Sequence, residues 1–141
     1  MGTSFPARSI SSGEPASILV TTPQGKRAAA KIVARDRARM LTLLKINADE
    51  KLALPEIAPR GELQVGQYAI AVGRTLDAKT PNLSVGVLSA LQRAYGRAVQ
   101  TDAKVSPANY GGPLVDIRGR VMGVLTPLPV MGEGETAGFG A

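Results

Sequence analysis

Residues 104–115, KVSPANYGGPLV, gather the side chains of this chain best suited to covalent chemistry. Ser106 offers an alcohol, Tyr110 a phenol and Lys104 an amine. Acyl transfer needs an alcohol or thiol made nucleophilic by an adjacent base. Lys104 and Ser106 are two residues apart, so an extended segment puts them on one face, as a Ser-Lys pair requires. Such a pairing is common by chance. Ser89 is a second candidate alcohol, and the sequence places no base beside it.

The residues that are missing narrow the chemistry further. The chain has no histidine, the usual general base near neutral pH, so it cannot complete a Ser-His-Asp triad by itself. It has no cysteine, which excludes disulfides and thiolate metal sites. No metal site and no cofactor motif is expected. Seventeen Lys and Arg against eleven Asp and Glu give a net charge of +6. That balance favours acidic partners, but the cations are scattered and lack interleaved aromatics for base stacking. A nucleic-acid partner is therefore the weaker reading. The start, MGTSFPARSI, lacks the apolar run of a signal peptide. No stretch approaches the roughly 18 apolar residues of a membrane span, and the composition leaves the compartment open.

Holding such a loop in place requires a scaffold, and the sequence describes an all-β one. Frequent Gly and Pro separate short runs rich in β-branched residues. Strands are expected at 17–22, 26–36, 40–46, 67–73, 83–93, 98–102, 113–117 and 120–126, with a last one at 137–141. Gly86 is expected to mark a bulge, and Arg118-Gly119 a tight hairpin. Residues 47–66 read as a long loop. Strands at this spacing form a sandwich or barrel.

The window QTDAKVSPANYGGPLVDIRGRVMGVLT, residues 100–126, resembles the nucleophile segment of trypsin-like serine proteases of the Deg/HtrA family. Gln100, Thr101, Asp102, Ala103, Pro107, Asn109, Gly111, Gly112, Pro113, Leu114 and Val115 match that family's pattern in place. LQVGQYAIAVGRTL (63–76), LSVGVLSALQR (83–93), ARDRARMLTLLKI (34–46) and AGFGA (137–141) resemble further family motifs in the correct order. The resemblance implies a trypsin-like double β-barrel with the catalytic cleft between the barrels. On that scheme residues 1–16 are a flexible N-terminal segment. Residues 17–60 supply a partial first barrel and the inter-barrel linker, and residues 61–141 a complete second barrel. Fewer than about twenty residues precede the first strand, too few for three more strands of ordinary length. Either a segment upstream of Met1 or an oligomeric partner completes the first barrel, or the chain is a shortened relative. The family is often extracytoplasmic, and its chains usually continue into a PDZ module.

At the positions that carry the family's reaction, this sequence departs from the pattern. Tyr110 stands where the family has its nucleophilic serine, and Met40 where it has the triad aspartate. A phenol keeps its proton to about pH 10 unless a base or cation stands beside it. Methionine cannot orient an imidazole, and ordinary apolar packing is the plainer expectation for Met40. In the family's oxyanion loop, matched by Ala108, Asn109, Tyr110 and Gly111, the first position is glycine. If the backbone needs a positive φ there, Ala108 costs about 1–2 kcal/mol, and an N–H donor to the oxyanion is lost. Tyr110 either plugs the former substrate pocket or is a tolerated surface aromatic. Val124, Leu125 and Thr126 match the strand along which the family's substrates lie, so strand addition of an extended peptide is expected there.

The expectation is a pseudoprotease, catalytically inactive, with a peptide- or protein-binding or scaffold role. The alternatives are an active serine-type endopeptidase using a partner-supplied or non-standard catalytic group, and a basic nucleic-acid-binding domain.

Overall fold

Residue alternation decides which strands bury a face here, and chain-distant pairing decides how they close. The computed structural model describes residues 17–47, 52–74, 80–127 and 138–140, the last three by backbone alone. The expected segment 1–16 lies outside the described residues.

The first unit is an antiparallel sheet of β1 (Ile18–Thr21), β2 (Arg27–Asp36) and β3 (Leu41–Ile46) in that order. β2 contains three consecutive alanines, good helix formers, yet it is a strand. Its neighbours on both sides explain this, since Ala28, Ala29 and Ala30 all pair with β1. Val33 is the extra residue at a register shift between Ile32 and Ala34. Ile18, Val20, Ala28, Ala30 and Ile32 are half-buried, while Leu19, Val33 and Leu43 are exposed. Among the described residues this sheet buries no apolar side chain fully.

The second unit is a closed six-stranded barrel. Its strands are β4 (Tyr68–Arg74), β5 (Pro81–Gln92), β6 (Ala98–Thr101), β7 (Pro113–Val115), β8 (Val121–Thr126) and β9 (Gly138–Gly140). The order around the ring is β4-β5-β6-β9-β8-β7, and β7 returns to β4 through Ile70↔Val115 and Ala71↔Leu114. Without tryptophan, the interior is filled by a few leucines set among small residues. Leu88, Leu114 and Leu125 are completely buried, packed with Ala69, Ala71, Val99 and Ala103. Small barrels are filled by side chains in this way, small residues facing large ones. Each buried leucine contributes about 2 kcal/mol of apolar transfer. These elements agree with an all-β, trypsin-like barrel architecture.

The bulge in β5 does not fall at Gly86. Gly86 pairs in register with Ala69, and the register shifts between Leu88 and Ala90, leaving Ser89 as the extra residue. Gly86 answers a different need. A Cβ there would stand 2.3 Å from Asp102 Oδ1 and 2.4 Å from the Ala103 nitrogen, so only glycine admits the neighbouring chain.

The turn into β8 is held by a charge cluster. Asp116 Oδ1 accepts from the N–H groups of Arg118 and Arg120, both at 2.9 Å, and its Oδ2 accepts from Arg120 Nε at 2.8 Å. Desolvation pushes the Asp116 carboxyl up, but the Arg120 and Arg118 donors outweigh it and hold it below the usual carboxylate range. Arg120 also reaches Glu62 at 2.8 Å, tying the hairpin to the segment that precedes β4.

Candidate functional site

The loop Ser106–Gly112 leaves β6 and enters β7, and its own hydrogen bonds set its shape. Asn109 organises it. The Asn109 side chain is buried, and its Oδ1 accepts from the Ser106 N–H at 3.1 Å and the Ser106 Oγ–H at 3.0 Å. Its own N–H donates to the Ser106 carbonyl at 2.8 Å, and its carbonyl accepts from Gly112 at 2.9 Å. The loop is then clamped to β8, with Gly111 N–H donating to Leu125 O and Leu125 N–H to Gly112 O, both at 2.8 Å. Gly111 has φ +81°, a left-handed conformation that suits glycine. Gly112 faces β4 so closely that a Cβ would lie 2.2 Å from the Val72 carbonyl oxygen.

Tyr110 sits on this turn with its side chain 38% exposed. Ala108 is exposed, and it is not among the residues with positive φ. The left-handed position is Gly111, so the substitution at 108 carries no backbone strain of the kind expected. Among the described residues, the N–H groups of Ala108 and Tyr110 have no hydrogen-bond acceptor, whereas those of Asn109, Gly111 and Gly112 all have one. The loop thus keeps two donors available on an exposed turn. Such N–H groups suit an anion or a carbonyl oxygen.

Among the described residues no base is hydrogen-bonded to the candidate nucleophiles. Ser106 Oγ is hydrogen-bonded to Asn109 Oδ1 rather than to Lys104, which is exposed. Ser89 is exposed on the β5 bulge. The expected packing of Met40 is not found. Met40 is 59% exposed, with φ 55°, at the end of the β2–β3 turn. That turn is fixed by Asp36, which accepts the Arg39 N–H at 3.0 Å and the Arg39 guanidinium. The Arg39 N–H, with help from the guanidinium, holds the Asp36 carboxyl below its ordinary range despite some desolvation. No cluster of acidic residues suited to a metal ion occurs among the described residues.

Val124, Leu125 and Thr126 lie in the middle of the barrel wall. β7 occupies one side through Pro113↔Val124, and β9 the other through Leu125↔Gly140 and Thr126↔Phe139. Leu125 and Thr126 are buried, so a peptide there would meet backbone rather than side chains. A strand added along these residues has to take the place of β9.

A second concavity went unseen in the sequence. A cavity of about 420 Å³ opens between residues 57–63, the end of β5, the turn 92–97 and the start of β6. Ile57 and Leu63, apolar residues in a stretch read as loop, were its one local signal.

Residues 7–124 match the family described as a trypsin-like peptidase domain. The chain is 39% identical over 129 residues to a "Probable periplasmic serine endoprotease DegP-like" of Chlamydia trachomatis serovar D, covering 87% of this chain and 25% of that protein. It is 36% identical over 114 residues to "Protease Do-like 8, chloroplastic" of Arabidopsis thaliana, covering 74% and 25%. It is 34% identical over 112 residues to "Serine protease Do-like HtrA" of Lactococcus lactis subsp. cremoris, covering 71% and 28%. The chain spans about a quarter of the length of these relatives.

Proposed function

We propose that this chain, which belongs to the trypsin-like peptidase family and carries Tyr110 in its nucleophile loop, is a catalytically inactive member that binds extended peptide. One observation carries the reading. The only alcohol in the loop, Ser106, donates to Asn109, and the nucleophile position itself is Tyr110 in a chain without histidine. A triad-less protease of this type retains at most about 10³–10⁴ over water, from its oxyanion donors and binding. The free N–H groups of Ala108 and Tyr110 would then serve to hold a peptide carbonyl rather than a reacting oxyanion. Pairing along Val124, Leu125 and Thr126 would proceed by exchange with the three-residue β9. Residues 17–60 would act as a partial first barrel, completed by further chain or by a partner.

A fluorophosphonate probe tests the proposal. No serine is expected to be labelled. Stoichiometric labelling, abolished by Ser106→Ala or Ser89→Ala, would overturn it in favour of an active endopeptidase.

A further inference from the structure

The cavity of about 420 Å³ lies apart from the Tyr110 loop, and none of its lining residues belongs to that loop. Its wall is apolar where Ile57, Leu63, Leu91, Val99 and Met122 meet. Its two charged lining residues are both cations, Arg60 and Arg97. Among the described residues Arg60 donates to the Gly96 carbonyl and to no carboxylate. Among the described residues the Arg97 guanidinium has no hydrogen-bond or ion-pair partner. Nearby Arg93 donates to the Gln100 amide, and Glu62 is engaged by Arg120. Among the described residues the cavity is therefore apolar, with a rim of two guanidinium groups that bond no carboxylate.

The rim is also strained. Gln92 (φ 60°, ψ 29°), Ala94 (φ 48°, ψ 54°) and Tyr95 (φ 58°, ψ 42°) are left-handed non-glycine residues within four positions. Each costs about 1–2 kcal/mol, and strain of this kind gathers at ligand clamps. Part of the backbone beside the cavity is already paired. Ala58 N–H donates to Val121 O, Val121 N–H to Glu56 O, and Arg97 N–H to Arg93 O, all at 2.8–2.9 Å.

We propose that this cavity binds a small amphiphile with an apolar body and a single carboxylate, its head group held between Arg60 and Arg97. The volume falls within the roughly 300–1,000 Å³ of ordinary small-molecule sites. A guanidinium bonded to no carboxylate among the described residues matches a carboxylate ligand geometrically as well as by charge.

The test is a methyl-detected NMR titration of the full chain with decanoate below its micelle concentration. Saturable shifts are expected at Leu63, Leu91, Val99 and Met122, and not at Leu19 or Leu43 on the exposed sheet. Decyltrimethylammonium should bind at least tenfold more weakly, and Arg97→Gln should weaken decanoate about tenfold without altering the other methyl signals. Non-saturating shifts at all apolar methyls would overturn the proposal. So would equal affinity for the cation, unchanged affinity in Arg97→Gln, or tighter binding of a leucine-terminated peptide than of decanoate.

Discussion

Replacing Gly112 by alanine puts one methyl group where the barrel wall and the Tyr110 loop touch. The new Cβ would lie 2.2 Å from Val72 O and 2.9 Å from Asn109 O. Both obstacles are backbone, so no side chain can swing aside. Relief requires β4 and the loop to separate by about 1 Å, an overpacking that costs roughly 1–3 kcal/mol. The same movement stretches the paired bonds between Gly111, Gly112 and Leu125, and a weakened buried hydrogen bond adds about 1 kcal/mol. A loss of about 3 kcal/mol is a large part of the roughly 5–15 kcal/mol that holds a domain folded. Two further glycines calibrate it. Gly111→Ala meets no atom within 4 Å but keeps φ +81°, a cost of about 1–2 kcal/mol. Gly61→Ala meets no atom and has no positive φ, so it should be neutral or stabilising by about 0.4–1 kcal/mol. Urea unfolding followed by far-UV circular dichroism gives all three values. The reasoning fails if Gly112→Ala loses less than Gly111→Ala.

Tyr110→Ser should not gain fluorophosphonate labelling, read by intact-mass spectrometry, because the chain has no histidine to serve as base for the new alcohol; labelling at position 110 would contradict this. Met40→Gly should raise stability by about 0.5–1 kcal/mol, since it relieves a left-handed exposed residue; thermal melting measures it. Asp116 and Asp36 both have depressed folded pKa values. Their contribution is thus complete above the unfolded value of about 3.9 and is lost as pH falls through the folded ones. The urea midpoint should fall below about pH 4, and Asp116→Asn should flatten that acid limb. Leu114→Ala, at a fully buried site, should cost about 2–5 kcal/mol in the same urea assay.

The strands were readable because their signals are local. Gly and Pro bracket the β-branched runs, and even the alanine-rich 27–36 showed its strand character in its Lys-Ile-Val centre. The nucleophile loop was readable because its residues are consecutive. What stayed hidden depends on partners far along the chain. Whether Gly86 or Ser89 is the bulge is set by the register against β6. Whether Met40 packs depends on what faces a turn, and here solvent does. The apolar cavity joins residues near 60, 95 and 122, and no window of sequence contains all three. The left-handed run ending at Gly96 has only one glycine to announce it.

The place of β9 in the ring bears on how the protein is made. Strands β4 to β8 leave the ribosome first, yet β6 and β8 acquire their shared neighbour only when Gly138–Gly140 arrives. Until then two backbone edges stand open on a nascent chain, where strangers can add to them. For the barrel, the risk of misassembly during translation is therefore concentrated in the interval between residue 126 and residue 140.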